Sequence, residues 1–486
     1  MSGHKGRHAV DSGFRTEVLV IGSGPGGAIT AAYLAEAGRS VLLVEEGPNL
    51  ALESCEPFSL DEMVQKYRNG GLTPALGRAK VAYVEGRCVG GGSEINSGLY
   101  HRTPAEVLAR WGSEFQLQAA SSAEMEAHFQ AGERDVSVSY LPGPAPAASL
   151  KLHEGAVKLG WKSMEVPRWF RHEVAADGTA APRGVRQSMT KTFVPRALAA
   201  GARLLASTRV LRLRRDGGGW LATGERADGV RVEIRAEHVF VCGGAVQTPA
   251  LLRRSGITEN IGNSLQLHPT VKIAAGFGEE VNSREMGVPV HQVKQFSPRL
   301  SFGCSISSAP FLALGLIDHP SRVEAAAHWR RMAIYYAMIT PEGRGTVRTL
   351  PGFRDPLVRY RLTDTDLRNL ADGVRKLGEA LLAAEATILF PAFGGAPVIR
   401  RQDELQRLPN VLPAARSNLM TIHLFSSCPM GENRRVCAAD SFGRVFGQPN
   451  LYIADGSLLC TAPGVNPQGS IMAFARRNVL KFLGKS

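Results

Sequence analysis

Two short stretches near the C-terminus carry side chains that could move a proton or steady a developing charge. They are His423 in TIHLFSSCPMG and Asn466, 43 residues later, in TAPGVNPQGSIMAFARR. An imidazole with its pKa near about 6.5 can accept a proton at neutral pH, and a carboxamide can hydrogen-bond an oxygen as that oxygen gains charge. Both residues also have plain structural readings. His423 could be a satisfied core histidine, and Asn466 could be the N-cap of a helix with Pro467 as its first residue and Ile471, Met472, Phe474 and Ala475 as its buried stripe.

A second set of residues could hold a phosphate. Gly22, Gly24 and Gly27 in GSGPGG form G-x-G-x-x-G, and Glu45 falls 23 residues beyond the first of them. The glycines permit a tight turn, close approach of the backbone to a pyrophosphate, and close helix–strand packing, while the acid can accept ribose hydroxyls. Residues 83–104, YVEGRCVGGGSEINSGLYHRTP, hold three consecutive glycines before Ser93 and Asn96. They make either a loop that brings backbone N–H groups to a ligand or a merely flexible one.

The elements that must position these groups are legible around them. The apolar run 17–21, EVLVI, leads into GSGPGG, then the small-residue helical pattern AITAAYLAEAG, then a second strand SVLLVEE. This is the opening of a Rossmann-type unit. Alternation and Gly turns between about residue 202 and CGG at 242–244 predict a β-meander returning to a parallel sheet, followed by a helix opening at Pro249. LTDTDLRNLADGVRKLGEALLAAEA predicts an amphipathic helix capped by Thr363 or Asp364. LYIADGS predicts a buried strand that turns at Asp455. His101 and His268 read as structural or loop residues.

With 486 residues, 44% hydrophobic and 21% charged, the chain can bury a sizeable core. The net charge of +13 comes from pairs such as RRD, RRS and RRN scattered among acids, which describes a solvated surface and not a nucleic-acid site. Seven cysteines without a C-x-x-C pair predict reduced core thiols and neither disulfides nor a metal. LGEALLAAEATILFPAF is broken by Glu379, Glu385 and Pro391, so no run reaches the roughly 18 to 20 apolar residues of a membrane span. The N-terminus lacks the apolar core of a secretory signal, and the expected location is cytoplasmic.

In family order, the blocks GSGPGG, VEEG, GRCVGGGSEIN, CGGAVQTPALLRRSGI, HLFSSCPMG and ADGSLLCTAPGVNP resemble the glucose-methanol-choline (GMC) family of FAD-dependent oxidoreductases. GRCVGGGSEIN resembles cholesterol oxidases, while TPALLRRSGI, IGNSLQLHP and GVNP look more like long-chain alcohol oxidases. The resemblance implies an α/β fold in which a Rossmann-type FAD-binding domain (15–105, 183–275 and 416–486) interleaves with an α+β substrate-binding cap (106–182 and 276–415). Residues 1–14 are expected to be flexible.

It also implies site roles. Gly22, Ser23, Gly24, Gly26, Gly27, Glu45 and Glu46 would line the adenosine-diphosphate part of FAD, with the Val210 backbone at the adenine. Gly91, Gly92, Ser93 and Asn96 would lie along the flavin, Arg87 would also bind the cofactor, Asp455 would lie near the ribityl chain and pyrophosphate, and Pro467 would lie at the flavin end. His423 would be the catalytic histidine and Asn466 its partner. Ile95 stands where choline oxidase has its FAD-linked histidine, which implies non-covalent FAD, and Ser426 stands for the glycine of the usual H-x-x-G-[ST]-C. The implied reaction is oxidation of a small-molecule alcohol, with oxygen or another acceptor taking the electrons. A redox-neutral lyase of the hydroxynitrile lyase type is the alternative. Phe302, Phe311, Leu312, Leu314 and Tyr336 permit a lipophilic or aromatic substrate.

Overall fold

The computed structural model describes residues 10–172, 184–284 and 286–485. Two sheets organise them. In the first, the strands run in the order Thr208–Asp216, Gly219–Arg226, Arg231–Val241, Val10–Ile21, Val41–Val44 and Arg203–Leu205, and Leu451–Ile453 also pairs with Arg231–Val241. Val10–Ile21 is parallel to Arg231–Val241 on one side and to Val41–Val44 on the other. The 208–241 meander is antiparallel and then feeds this parallel part.

Buried Val18, Leu19, Val20, Val41, Leu42, Leu43 and Val44 explain the parallel centre, because such strands are covered on both faces. The first strand begins at Val10, inside the segment expected to be flexible, since its pairing with the long Arg231–Val241 strand carries it back beyond the apolar run. Residues 1–9 lie outside the described residues.

The second sheet runs Thr73–Ala75, Val81–Tyr83, Leu419–Thr421, Thr270–Phe277, Met332–Ile339, Leu300–Cys304, His291–Val293 and Ser163–Glu165, with Ala386–Pro391 also on Thr270–Phe277. Strands 73–75, 81–83 and 419–421, and most of Thr270–Phe277, come from segments assigned by sequence to the cofactor domain. Alternation splits its two faces. Val271, Ile273, Leu300, Phe302, Tyr335 and Ala337 belong to one core with Leu367, Leu370, Val374 and Leu377 of the helix Asp364–Ala383. That helix begins as expected, with a capping box between Thr363 and Asp366. The opposite face is the one that meets Asn466, through Gln292.

The helix expected to open at Pro249 starts five residues earlier and spans Gly244–Arg254 with Pro249 inside it. Proline has no N–H to give the carbonyl four residues back. The Ser427 hydroxyl donates to that carbonyl, Ala245 O, at 2.6 Å. Among the described residues no helix is long and apolar enough to cross a membrane.

Candidate active site

The glycine-rich turn between Ile21 and Pro25 sits at the C-terminal end of the first strand, the usual place for a ligand on an open parallel sheet. Gly22 adopts φ +102°, and a side chain there would collide with Cys242 O. A Cβ on Gly26 would lie 1.7 Å from Ala454 O, and one on Gly27 would lie 1.9 Å from Gly22 O. Gly24, Gly92 and Gly244 face open space, with no protein atom within 4 Å of a Cβ.

Within the first helix, Ala28 N–H bonds Gly24 O, which leaves the Gly26 and Gly27 N–H groups without an intrahelical partner. A groove rimmed by bare glycines and ending on such N–H groups can take an anion such as a pyrophosphate.

The acids around the groove hold its loops. Glu45 accepts from Ser23 N (3.0 Å), Ser23 Oγ (2.7 Å) and Gly47 N (2.8 Å), so three of a carboxylate's roughly four acceptor positions are filled. Asp455 accepts from Gly244 N, Thr248 Oγ1, Ser457 N and Ser457 Oγ, which fills all of them. Its carboxylate ties the loop after Leu451–Ile453 to the Gly244 helix and has no position left for a ligand. Burial raises the pKa of both acids against the lowering effect of these hydrogen bonds.

Glu46 is gripped by Arg68 at 2.8 and 3.1 Å, with Arg87 at 3.4 Å and Arg209 at 3.7 Å. Its pKa is lowered to about 2 by these guanidiniums, although burial opposes them. Val210 is buried beside this cluster on the Thr208–Asp216 strand.

The second Gly-rich stretch is ordered. Gly90 N donates to Ser23 Oγ at 3.0 Å, and a Cβ on Gly91 would reach Gly24 Cα at 2.9 Å, so this loop lies directly against the first. Ser93 is fully buried, donating to Gly90 O and accepting from Met189 N. Asn96 donates to Gln468 Oε1 at 2.7 Å, which links the loop to the C-terminal helix.

That helix spans Gln468–Phe482, with Pro467 at the cap position and no side-chain cap. The expected N-cap role of Asn466 is therefore not its role. Its carboxamide points at His423, with Nδ2 at 3.2 Å from Nε2, and its Oδ1 accepts from Gln292 Nε2 at 3.2 Å. Gln292 also reaches Tyr336 OH and His101 Nε2, both at 3.1 Å.

His423 is opposed by His268 because of a short antiparallel pairing, Gln266 with Phe425 and Leu267 with Leu424, whose next residues are the two histidines. Their Nδ1 atoms are 3.1 Å apart, and Gly464 N–H donates to His268 Nε2 at 3.1 Å. The Gly464 bond requires the His268 proton on Nδ1, whereas an Asn466 amide donating to His423 Nε2 requires the His423 proton on Nδ1; the two facing Nδ1 atoms share one proton between them, so only one of these two contacts is made in a given tautomer. Burial, and secondarily the Lys294 charge, pushes the His423 pKa down to about 3. Yet its surface is only part-buried.

Ser426, three residues on, keeps a glycine-like φ of +69°, and its hydroxyl donates to Cys460 O at 2.5 Å. Sequence reading missed Gln292 and underrated His101 and His268. Gln292 comes from the distant His291–Val293 strand and has no local motif, whereas His268 sits in the quoted QLHP. The aromatic expectation changes too. Phe302 is fully buried on the other face, Phe311 and Leu312 pack into a separate cluster, and Leu314 is exposed. Of that set, Tyr336 is the one bonded into the site.

Models of GMC oxidoreductases match residues 63–270 and 341–475, and a model of NAD(P)-binding Rossmann-like domains matches residues 20–56. An uncharacterized GMC-type oxidoreductase of Sinorhizobium fredii is 40% identical over 97% of this chain and 96% of its own length. A long-chain-alcohol oxidase of Arabidopsis thaliana is 25% identical over 94% of this chain and 65% of its own. The crystal structure of pyridoxine 4-oxidase from Mesorbium loti superposes with a TM-score of 0.73 at 19% identity, covering 96% of this chain and 99% of that one, and so has the same fold. The glycine-lined groove, the His423–Asn466 pair at its end and these matches agree: the chain belongs to the GMC oxidoreductase family.

Proposed function

We propose that the protein is an FAD-dependent oxidoreductase that converts an alcohol to an aldehyde or ketone, with His423 as base and Asn466 as the partner of the substrate oxygen. The observation that carries this reading is the contact of Asn466 with His423, made by a side chain that the helix start does not use. The residues fit the cofactor. The open glycines 24, 92 and 244 leave room for a pyrophosphate, and the remaining acceptor position of Glu45 suits a ribose hydroxyl. Gly22, Ser23, Gly26, Gly27, Glu46, Arg87, Gly91, Ser93, Asn96, Val210, Asp455 and Pro467 build the walls around it. Buried Ile95 offers no nucleophile, which supports non-covalent binding.

When bound, FAD supplies the acceptor for the hydride leaving the carbinol carbon, and oxygen or another acceptor later takes the electrons. The protein handles the proton and the charge. His423 removes the hydroxyl proton at Nε2, and the Asn466 amide N–H steadies the oxygen as it becomes alkoxide-like. This base is the tautomer opposite to the one drawn by the Gly464 contact. Nδ1–H then donates to His268 Nδ1 and the Gly464 bond is given up, so His268 sets how readily the base forms. The domain division proposed is the one read from sequence, amended by the strands 73–75, 81–83, 270–277 and 419–421, which complete the cap sheet. Anaerobic mixing of the FAD-loaded protein with primary and secondary alcohols tests the function: the flavin is expected to lose its yellow colour. Turnover with the colour retained would instead mean a lyase.

A further inference from the structure

Among the described residues, the sheet face over the His423–Asn466 pair carries Lys272 and Lys294 and no acid. Cross-strand register puts Lys272 beside Tyr336, Tyr336 beside Gly303, and Gly303 beside Gln292, so these residues share one face. The Gln292 to Tyr336 bond passes over Gly303, where a Cβ would lie 2.2 Å from the Tyr336 hydroxyl. Lys294 follows Gln292 by two residues and continues the strand, its N–H donating to Lys162 O, so it points to the same side. Its Nζ is buried with no hydrogen-bond partner. The ammonium is close enough to act on His423, His268 and His101. Among the described residues no carboxylate acts on either lysine, and burial lowers both to about 8.

A buried ammonium without a counter-ion weakens the fold, and among the described residues no side chain or carbonyl satisfies this one. Resting on the alcohol-oxidation reading, we propose that the substrate is a hydroxy acid whose carboxylate pairs with Lys294 while its hydroxyl lies between His423 and Asn466. At the Lys294 end the face offers one ammonium and, among the described residues, no arginine, which suits a carboxylate better than a phosphate, since a phosphate favours several donors or a guanidinium fork. Tyr336 and Gln292 line the space between the two ends, and Lys272 keeps the far end of the row positive.

The test uses unreactive probes on the FAD-loaded protein, read by the shift of the flavin visible band. At pH 7, 4-methylbenzoate is expected to bind about 10- to 100-fold more tightly than the neutral 4-methylbenzamide, the size of one charge-assisted hydrogen bond. The advantage should fall as pH rises through about 8, where Lys294 loses its proton. His101, His268 and His423, with pKa values pushed down by burial, stay neutral throughout, and Tyr336 is pushed up out of range. Lys272 titrates in the same range, so Lys294→Met makes the assignment: it should abolish the preference and, by removing a buried charge, raise Tm.

Equal binding of the two probes to the unmodified protein, or a benzoate preference that survives Lys294→Met, would overturn the proposal. Anaerobic mixing with 4-(hydroxymethyl)benzoate separates the two readings. If the flavin keeps its colour while the Lys294-dependent preference holds, the anion site stands and alcohol oxidation falls.

Discussion

Asn466 shows how far a single residue can be read in advance. Its type, its place before Pro467 and its spacing from His423 were enough to nominate it, but the direction of its side chain depends on Gln292, which arrives from a strand 174 residues away in sequence. His268 is the converse case. It was visible in QLHP, yet only the pairing of Leu267 with Leu424 reveals that it backs the proposed base. Replacing it by leucine removes the group facing His423 Nδ1. The expected result is a fall in kcat of about 100-fold with KM changed less than about threefold, because the substrate contacts remain while the base loses its tautomer control. The pH profile is a second check. With the His423 pKa down to about 3, the imidazole stays unprotonated above that value, so kcat/KM for a neutral alcohol should be level from pH 5 to 7. An imidazole with the ordinary value would lose more than about tenfold over that span.

Among the elements, the strand–turn–helix–strand unit was legible because its chemistry is local: apolar runs, glycines and an acid at fixed spacing. The helix at Pro249 was misplaced because proline signals a helix start only when no other donor serves the carbonyl it abandons, and Ser427, far along the chain, is that donor. The glycine turn gives the sharpest prediction at this scale. Gly24 has φ −62° and open space where a Cβ would go, so Gly24→Ala should fold normally and lose FAD, because the methyl group would occupy the cofactor groove. In Gly26→Ala the methyl group would be driven into the Ala454 carbonyl, so the fold itself should weaken, with Tm lowered whether or not FAD is present. FAD content from visible absorbance and Tm from thermal denaturation separate the two effects.

At the scale of the molecule, the proposed site lies where two sheets meet, and the sequence showed only one of them clearly. The parallel sheet announces itself in continuous apolar runs. The second sheet is assembled from short strands between residues 73 and 421, and no local pattern says which face of them turns toward His423. For that reason the apolar cap residues suggested a lipophilic substrate, whereas the face that meets the proposed catalytic pair carries Gln292, Tyr336, Lys272 and Lys294. The central claim is that this junction lets His423 take a proton from an alcohol. The most direct measurement is the rate of anaerobic flavin bleaching by an alcohol in the unmodified protein and in His423→Ala, both loaded with FAD. Loss of the base is expected to slow bleaching by about 1000-fold with FAD still bound. Bleaching at an unchanged rate in the variant would contradict the account.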